Sequence, residues 1–424
     1  MTEDKLSYEE ARKYLEKAEK KGIVLGLSVM EDLLGRLDNP EKGLRIVHIA
    51  GTNGKGSILS FMEQIFLSSG YHTGRYVSPA LGTYESRFLI DAAPISQEWV
   101  CECVGKIQAA VKEMEKEGHP LPTIFEIETA MAFLCFQKAG VSVVLLETGM
   151  GGRLDATNVI EKPLLSIIAS VSMDHMGVLG SHISDIAREK AGIIKEGCDT
   201  LLYPENSLET EQVIEEECRK KSSVLHKVDV SRIRIIEENE NGSIFAYGRY
   251  KKLAIGLPGR HQIYNAVMAV EAVEIMKKWF CISEFQIEDG LRNTRWRARL
   301  EKISDSPLIY LDGAHNEDGA KKLAAFLKNQ LKGRRILAVM GVLADKEYEK
   351  IAGQVLPLAQ KAATITPDNR RALDGEILKQ TALFYCPDVT FLGSPKKAID
   401  WIKKEAGPED AGIIFGSLSF MDQL

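Results

Sequence analysis

The chain lacks several features that would narrow its chemistry at once. It has no CxxC pair, which excludes a zinc ribbon and a thioredoxin-type redox motif. Its 7 cysteines, an odd number in 424 residues, do not suit a disulfide framework. Positive charge is not in excess: 54 Lys+Arg stand against 60 Asp+Glu, a formal net charge of −6. A protein that coats nucleic acid needs a net basic face to displace counterions, so no nucleic-acid partner is expected. Apolar runs such as Leu164 to Val171 fall far short of the ~20 residues that span a bilayer, so no membrane partner is expected either. Met1 to Gly22, dense in Lys and Glu, carries no apolar leader core and is too acidic for a transit peptide. A reducing cytoplasm is the expected location. Internal repeats and low-complexity tracts are missing too.

What remains is an ordinary globular composition, 45% hydrophobic and 27% charged. The length suggests about two or three domains. Glu9 to Lys21 has helical spacing of Ala11, Tyr14, Leu15 and Ala18. Arg45 to Ala50 (RIVHIA) reads as a strand, Gly51 to Gly56 as a glycine loop and Ser57 to Leu67 as a helix. Arg75 to Val77, Val141 to Leu146 and Leu165 to Val171 read as further strands, and Phe125 to Phe136 as an apolar helix. Strands alternating with helices predict a mostly parallel sheet. Asn241-Gly242 between β-rich runs predicts a hairpin, read as a small antiparallel addition to the first domain. From about residue 300, four strand-like runs (Leu308 to Leu311, Arg335 to Met340, Ala362 to Thr366, Ala411 to Phe415) alternate with helical stretches. The expected fold is α/β: a P-loop-type, mostly parallel sheet domain with that addition, then a second, smaller Rossmann-like domain. The expected division is residues 1–296 and 297–424, with a hinge around Arg292 to Arg299.

The sharpest motif is Gly51-Thr52-Asn53-Gly54-Lys55-Gly56-Ser57, between strand and helix. Glycines let the backbone curl so that N–H groups face an anion, and the helix N-terminus adds partial positive charge. Lys55 can reach terminal phosphates and Ser57 can ligate Mg²⁺. The strict G-x-x-x-x-G-K-[ST] pattern is not met, because Gly56 separates Lys55 from Ser57. Glu147 ends a predicted strand, where open parallel sheets place ligands. A carboxylate there can share Mg²⁺ with Ser57. His175 lies beyond the next strand. Gly151-Gly152 allows close approach to a flat ligand, and Asp155 reads equally as a partner for an amino-pyrimidine edge or as an Asx turn.

These motifs occur in a fixed order: Gly51 to Ser57, Ser78-Pro79, Phe125-Glu126, Glu147 to Asn158 (ETGMGGRLDATN), Asp174-His175, Glu189 to Ile194 (EKAGII), His261-Gln262 with Asn265, Trp296 with Arg299, Asp312 to Asn316 (DGAHN) and Gly416-Ser417-Leu418. In that order the chain resembles the folylpolyglutamate synthase / dihydrofolate synthase family of the Mur-ligase superfamily, from about Gly22 to Ser419. The resemblance implies an ATP-dependent carboxylate–amine ligase of folate and one-carbon metabolism, adding L-glutamate to a folate or to dihydropteroate. ATP would phosphorylate the carboxylate, and the amine would attack the acyl phosphate.

By the same resemblance, Gly51 to Ser57, Asn265, Arg299 and Asp312 hold ATP, with Asp312 on the ribose and Arg299 at the γ-phosphate. Ser57, Ser78, Glu147 and His175 ligate Mg²⁺, two ions in all, with a monovalent cation as a further expectation. Lys190 is carbamoylated by CO₂, which requires a lowered lysine pKa. Phe125, Gly152, Arg153, Asp155 and Ala156 contact folate, and His315 and Ser417 contact glutamate. The expected catalytic set is Lys55, Lys190, Arg299 and His315, in a monomer. The chain departs from the family pattern at Ala80 (usually His), at Glu85-Ser86-Arg87 (usually E-R at the last two positions), at Trp296-Arg297-Ala298-Arg299 (usually W-P-G-R) and at Glu317 (usually Pro). Two other readings stay open: a Mur-type ligase acting on another carboxylate, and a non-catalytic nucleotide-binding regulator.

Overall fold

A computed structural model describes every residue except 1–5, 23 and 175, and leaves out the side chains of Met176 and Val178. The chain forms two compact units, Met1–Val228 with Met268–Gly290, and Asp229–Val267 with Leu291–Leu424.

The first unit is built on an eight-stranded sheet among the described residues. Its strands are β1 (Ile46–Ala50), β2 (Thr73–Tyr76), β3 (Phe88–Ile90), β4 (Ala93–Pro94), β5 (Val143–Glu147), β6 (Leu165–Ile168), β7 (Asp199–Leu202) and β8 (Val224–Lys227). They lie in the order β4-β3-β2-β5-β1-β6-β7-β8. From β2 to β8 neighbours run parallel; β3 and β4 add an antiparallel edge. β1 and β5 are buried along their whole length, which is why they read as unbroken apolar runs. Register pairs Tyr76 with Leu146 and Ile49 with Glu147, so the segments after β1, β2 and β5 leave the sheet at one edge.

Helices α1 (Tyr8–Glu19), α2 (Ser28–Arg36), α3 (Lys55–Ser68), α4 (Gln97–Lys116) and α5 (Ile124–Ala139) belong to this unit. α1, α2, α4 and α5 share one core with Tyr76, Phe88, Val144 and Leu146. A second cluster joins Ala50, Ile168 and Leu202 to Ile186, Ala187 and Ile214, from α6 (Met176–Leu179), α7 (Ile183–Ala191) and α8 (Leu208–Lys220) and their surroundings. α5 starts with a capping box: Thr123 N–H donates to Glu126 Oε2 at 2.7 Å, and Glu126 N–H returns to Thr123 Oγ1 at 3.3 Å. That box holds Phe125 in the first turn.

Between α3 and β2 lies a fully buried ion pair, Glu63 to Arg75 at 3.0 Å. Burial pushes the Glu63 carboxyl up and the Arg75 guanidinium down, so each charge depends on the other. Arg75→Met should therefore cost about 3–5 kcal/mol, read as a lower urea midpoint, and adding Glu63→Leu should recover most of it. An unchanged midpoint in the single variant would show that the pair carries no such weight.

In the second unit, β9 (Ile233–Asn239), β10 (Gly242–Tyr247) and β11 (Tyr250–Ile255) form an antiparallel sheet around the Asn241-Gly242 turn, as the hairpin signal predicts. The sequence reading attached this sheet to the first domain. Its hydrogen bonds run instead to the C-terminal part: Tyr310 Oη donates to the Glu240 carbonyl at 3.2 Å and Lys302 Nζ to Asn241 Oδ1 at 2.8 Å. The strands β12 (Arg299–Asp305), β13 (Leu308–Asp312), β14 (Ile336–Met340), β15 (Lys361–Ile365), β16 (Val389–Gly393) and β17 (Ala411–Phe415) make the second main sheet, in the order β12-β13-β17-β14-β15-β16. All neighbours are parallel except the β12–β13 pair. Its core includes Tyr310, Ala338, Ile413, Phe415 and Phe326. Among the described residues no helix is long and apolar enough to cross a membrane.

Candidate active site

β1 delivers the glycine loop to the carboxyl edge of the first sheet. Gly51 packs so closely that a Cβ there would lie 2.7 Å from Ala169 Cβ. Gly54, at the α3 N-cap, has φ +88°, a conformation that excludes most side chains. The loop is tethered across to the segment after β6. Thr52 and Asn53 N–H both donate to the Ser170 carbonyl, at 2.7 and 3.3 Å, and Thr52 Oγ1 bonds the Ser172 backbone. The amides of Thr52 and Asn53 are thus engaged within the protein. The N–H groups that α3 itself leaves without an intrahelical acceptor are those of its first turn, from Lys55 to Ser57.

Lys55 curls over its own loop. Its Nζ donates to the Gly51 carbonyl at 3.0 Å and the Thr52 carbonyl at 3.3 Å, and lies 3.6 Å from Glu147 Oε1. Glu147 and Ser57 are buried; Ser78, after β2, is half-buried. His175 lies outside the described residues. Among the described residues no group of three or more His, Cys, Asp or Glu is placed to hold a metal by itself.

Lys190 sits near the C-terminal end of α7 and is only 4% exposed. Burial, with the Lys55 charge adding to it, pulls its amine down to about 7, against the pull of Asp174 and Asp155. The glycine segment after β5 backs onto this lysine. A Cβ on Gly152 would lie 2.7 Å from the Glu189 carbonyl oxygen and 3.0 Å from that of Lys190. Arg153 N–H donates to the Glu189 carbonyl at 2.7 Å, and its guanidinium holds Glu189 Oε1 through Nε at 3.1 Å and Nη2 at 2.9 Å.

Asp155, left open between ligand and turn, organises the turn here. Its Oδ1 accepts from Thr157 N–H and its Oδ2 from Met150 N–H, while Ala156 begins the short helical turn it caps. Burial pushes its carboxyl up and these donors oppose that. Phe125 lies against Gly149, where a Cβ would come within 2.4 Å of Phe125 Cζ.

An aromatic series missed at the level of sequence leads away from Phe125. Tyr76 lies 6.0 Å from Phe125 and stacks on Phe88 at 5.7 Å, and Tyr84 meets Phe88 edge-on at 5.8 Å. Tyr84 is clasped by Arg12 at 4.0 Å and Arg87 at 5.0 Å, and Arg87 pairs with Glu128 at 3.4 Å. Glu85 is buried and accepts from Tyr8 Oη at 2.5 Å. The unusual Glu85-Ser86-Arg87 stretch is therefore docked on α1 and α5. No local signal in the sequence links Tyr8 and Arg12 to a loop some seventy residues away.

In the second unit, Asp312 ends β13 and accepts from Leu300 N–H at 3.0 Å and Ala314 N–H at 2.9 Å. Burial pushes its carboxyl up, with Arg299 opposing. Arg299 faces Asp312 in the β12–β13 register. His315 Nδ1 lies 2.8 Å from the Gly313 carbonyl, which places a proton on that nitrogen. Asn316 caps α11 (Glu317–Gln330), the tenth helix being α10 (Glu284–Asn293) after α9 (Arg260–Met276). Asn265, on α9, is buried and donates to Gln262 Oε1 at 3.0 Å. Ser417 follows β17 and its hydroxyl accepts from Ser419 N–H at 3.2 Å. The structure thus gathers Lys55, Glu147, Lys190, Gly152, Arg153 and Asp155 in the first unit, and Arg299, Asp312 and His315 in the second.

Two family descriptions match this chain: "Mur ligase middle domain" over residues 49–273 and "Mur ligase, glutamate ligase domain" over residues 298–418. The dihydrofolate synthase/folylpolyglutamate synthase of Bacillus subtilis is 34% identical, over 99% of this chain and 98% of that protein. The folylpolyglutamate synthase of Lacticaseibacillus casei is 34% identical over 76% of this chain and 77% of its own. Among solved structures, Mycobacterium tuberculosis folylpolyglutamate synthase complexed with ADP and AMPPCP has a TM-score of 0.88 at 27% identity, covering 98% of this chain and 97% of that one. Escherichia coli FolC in complex with DHPP and ADP has a TM-score of 0.87 at 27% identity, covering 98% and 96%.

Proposed function

From the premise that this chain belongs to the folylpolyglutamate synthase/dihydrofolate synthase family of Mur ligases, we propose that it joins L-glutamate to the carboxylate of a folate at the expense of ATP. The observation that carries this reading is the Lys55–Glu147 pair at the α3 N-terminus with the buried amine of Lys190 beside it. A carboxylate resists nucleophiles, so it must first be activated. The first-turn amides of α3 and the Lys55 ammonium hold the triphosphate with its γ-phosphorus toward the acid oxygen. That oxygen attacks, ADP leaves, and an acyl phosphate forms. The amine of glutamate then attacks the carbonyl and phosphate departs. Little covalent help is needed; alignment and positive charge do the work.

The donors Ser57 Oγ, Ser78 Oγ and the Glu147 carboxylate are hard oxygens, the set that suits Mg²⁺ shared with nucleotide phosphates. Two ions are assigned, with His175 as a further ligand of the second. When bound, Mg²⁺ would neutralise charge developing on the phosphate oxygens. Lys190, neutral above about pH 7, is suited to attack CO₂ and lose a proton, leaving a carbamate in place of a cation. Asp312 is assigned to the ribose, Asn265 to the nucleotide, Arg299 to the γ-phosphate, and His315 and Ser417 to glutamate. Phe125, Gly152, Arg153, Asp155 and Ala156 are assigned to the folate side, Asp155 through the turn it builds. The glycine loop and the folate residues then belong to the unit of Met1–Val228 with Met268–Gly290, and Asn265, Arg299, Asp312, His315 and Ser417 to that of Asp229–Val267 with Leu291–Leu424, in a monomer working in the cytoplasm.

The protein incubated with ATP, Mg²⁺ and glutamate should release phosphate when tetrahydrofolate is added, and mass spectrometry should show a ladder of successive glutamate additions. A single addition to dihydropteroate would assign the second activity of the family instead or as well. If neither acceptor stimulated phosphate release, the folate assignment would fall.

A further inference from the structure

β1 carries one ionisable side chain through an otherwise apolar layer: His48, fully buried. Its Nε2 lies 2.8 Å from the Thr157 hydroxyl, 109 residues away in sequence, and Thr157 Oγ1 lies 2.6 Å from Asp155 Oδ1. Thr157 is fully buried and Asp155 only 4% exposed. The proton positions in this chain follow from counting. Asp155 already accepts a backbone N–H on each oxygen, from Thr157 at 3.0 Å and Met150 at 2.8 Å. Accepting at both oxygens, it takes the Thr157 hydroxyl as a further donor. That hydroxyl then has only lone pairs to offer the ring, so His48 donates through Nε2–H. Nδ1 is left bare and has no hydrogen-bond partner among the described residues. Burial, with the Lys195 charge adding to it, pulls the imidazole down to about 3, so it stays neutral.

A buried histidine with one unused nitrogen is an expensive way to fill space, since an unsatisfied buried polar atom is costly. What it obtains is a fixed link between two loops of the site. β1 feeds the glycine loop at Gly51, and Asp155 sets the segment from Gly149 to Arg153 that lies against Phe125 and backs onto Lys190.

We propose that His48 is a positioning residue for the acceptor substrate: through Thr157 and Asp155 it holds the Gly149–Asp155 segment in the shape that receives the folate ring. This rests on the folate reading above.

The test uses side-chain geometry. The amide nitrogen of Gln overlays Nε2 of histidine, whereas that of Asn overlays Nδ1. His48→Asn and Thr157→Val should each raise the KM for the folate acceptor about tenfold, with the KM for ATP within about twofold of the parent, and the double variant should be no worse than either. His48→Gln should return the acceptor KM to within about threefold. An unchanged acceptor KM in His48→Asn, or equal losses toward ATP and acceptor that Gln does not relieve, would overturn the proposal. A second readout needs no substrate: ¹⁵N NMR of the imidazole should report Nε2–H, and Met150 N–H should lose hydrogen-exchange protection in His48→Asn but keep it in His48→Gln. Protection unchanged in His48→Asn would sink the relay itself. If the parent protein ignores folates while the relay signature holds, the failure lies in the folate reading, and with it the acceptor role assigned to His48.

Discussion

Lys55→Ala should lower ATP-dependent ligation by about 10³-fold, the scale on which a preorganised donor to a developing anion is lost. In the structure Lys55 is held by two carbonyls of its own loop and lies 3.6 Å from Glu147, so its ammonium is placed rather than free to wander. In the proposed role alanine would remove the positive charge at the γ-phosphate, and it leaves the buried Glu147 carboxylate without that neighbour, which also works against any negatively charged ligand there. Phosphate release at saturating acceptor and glutamate is the measurement, with the thermal midpoint as a check on folding. Activity within tenfold of the parent would remove Lys55 from the phosphate role.

Lys190→Met should do two opposite things: abolish most turnover, by about 10²-fold or more, and make the protein more stable at neutral pH. The reasoning is linkage. The native amine has been pulled down to about 7, while in the unfolded chain it keeps the ordinary value of 10.5. Between those values the unfolded chain binds more protons than the native one, so stability rises with pH across the window. The cost of burying the amine is therefore full below pH 7 and fades as pH rises toward 10.5. Methionine has similar length and no charge, so its advantage should be on the order of a few kcal/mol at pH 6–7 and should shrink at pH 9. Thermal midpoints of the two proteins at pH 6, 7 and 9 in CO₂-depleted buffer, where the parent amine is not carbamoylated, decide this; a gain that grew with pH would contradict the assignment. For the parent enzyme the same shift predicts that activity falls as pH drops below about 7, because the protonated amine cannot react with CO₂.

The two variants differ in what could have been foreseen. Lys55 stands in a glycine-rich strand–loop–helix pattern, and such a loop works by local backbone geometry that nearby residues impose. Lys190 is an ordinary helix lysine by composition; only family resemblance singled it out, and only packing against Gly152 and the Lys55 charge gives it an unusual amine.

Strand reading shows the same boundary. β1, β5, β13 and β17 are buried on both faces and announce themselves as apolar runs. β12 (RLEKISD) and β16 (VTFLG) are partly exposed edge strands of their sheet and neither was anticipated: β12 carries charged and polar residues at most positions, and β16 is a short run that ends on glycine. Which amides of the glycine loop are engaged within the protein is likewise set at long range: Ser170, more than a hundred residues later, takes those of Thr52 and Asn53.

By itself the sequence determined the class of fold, the positions of the glycine loop, Glu147 and DGAHN, and the family to which those motifs belong, because each depends on short-range pattern: burial of a strand, a turn that needs glycine, a helix start. Tertiary structure alone decided which donors are already spent, which lysine holds its proton weakly, and that a histidine in one strand sets a turn built by Asp155. Those properties arise from desolvation and from hydrogen bonds between segments far apart in the chain, and neither is encoded in any local stretch of residues.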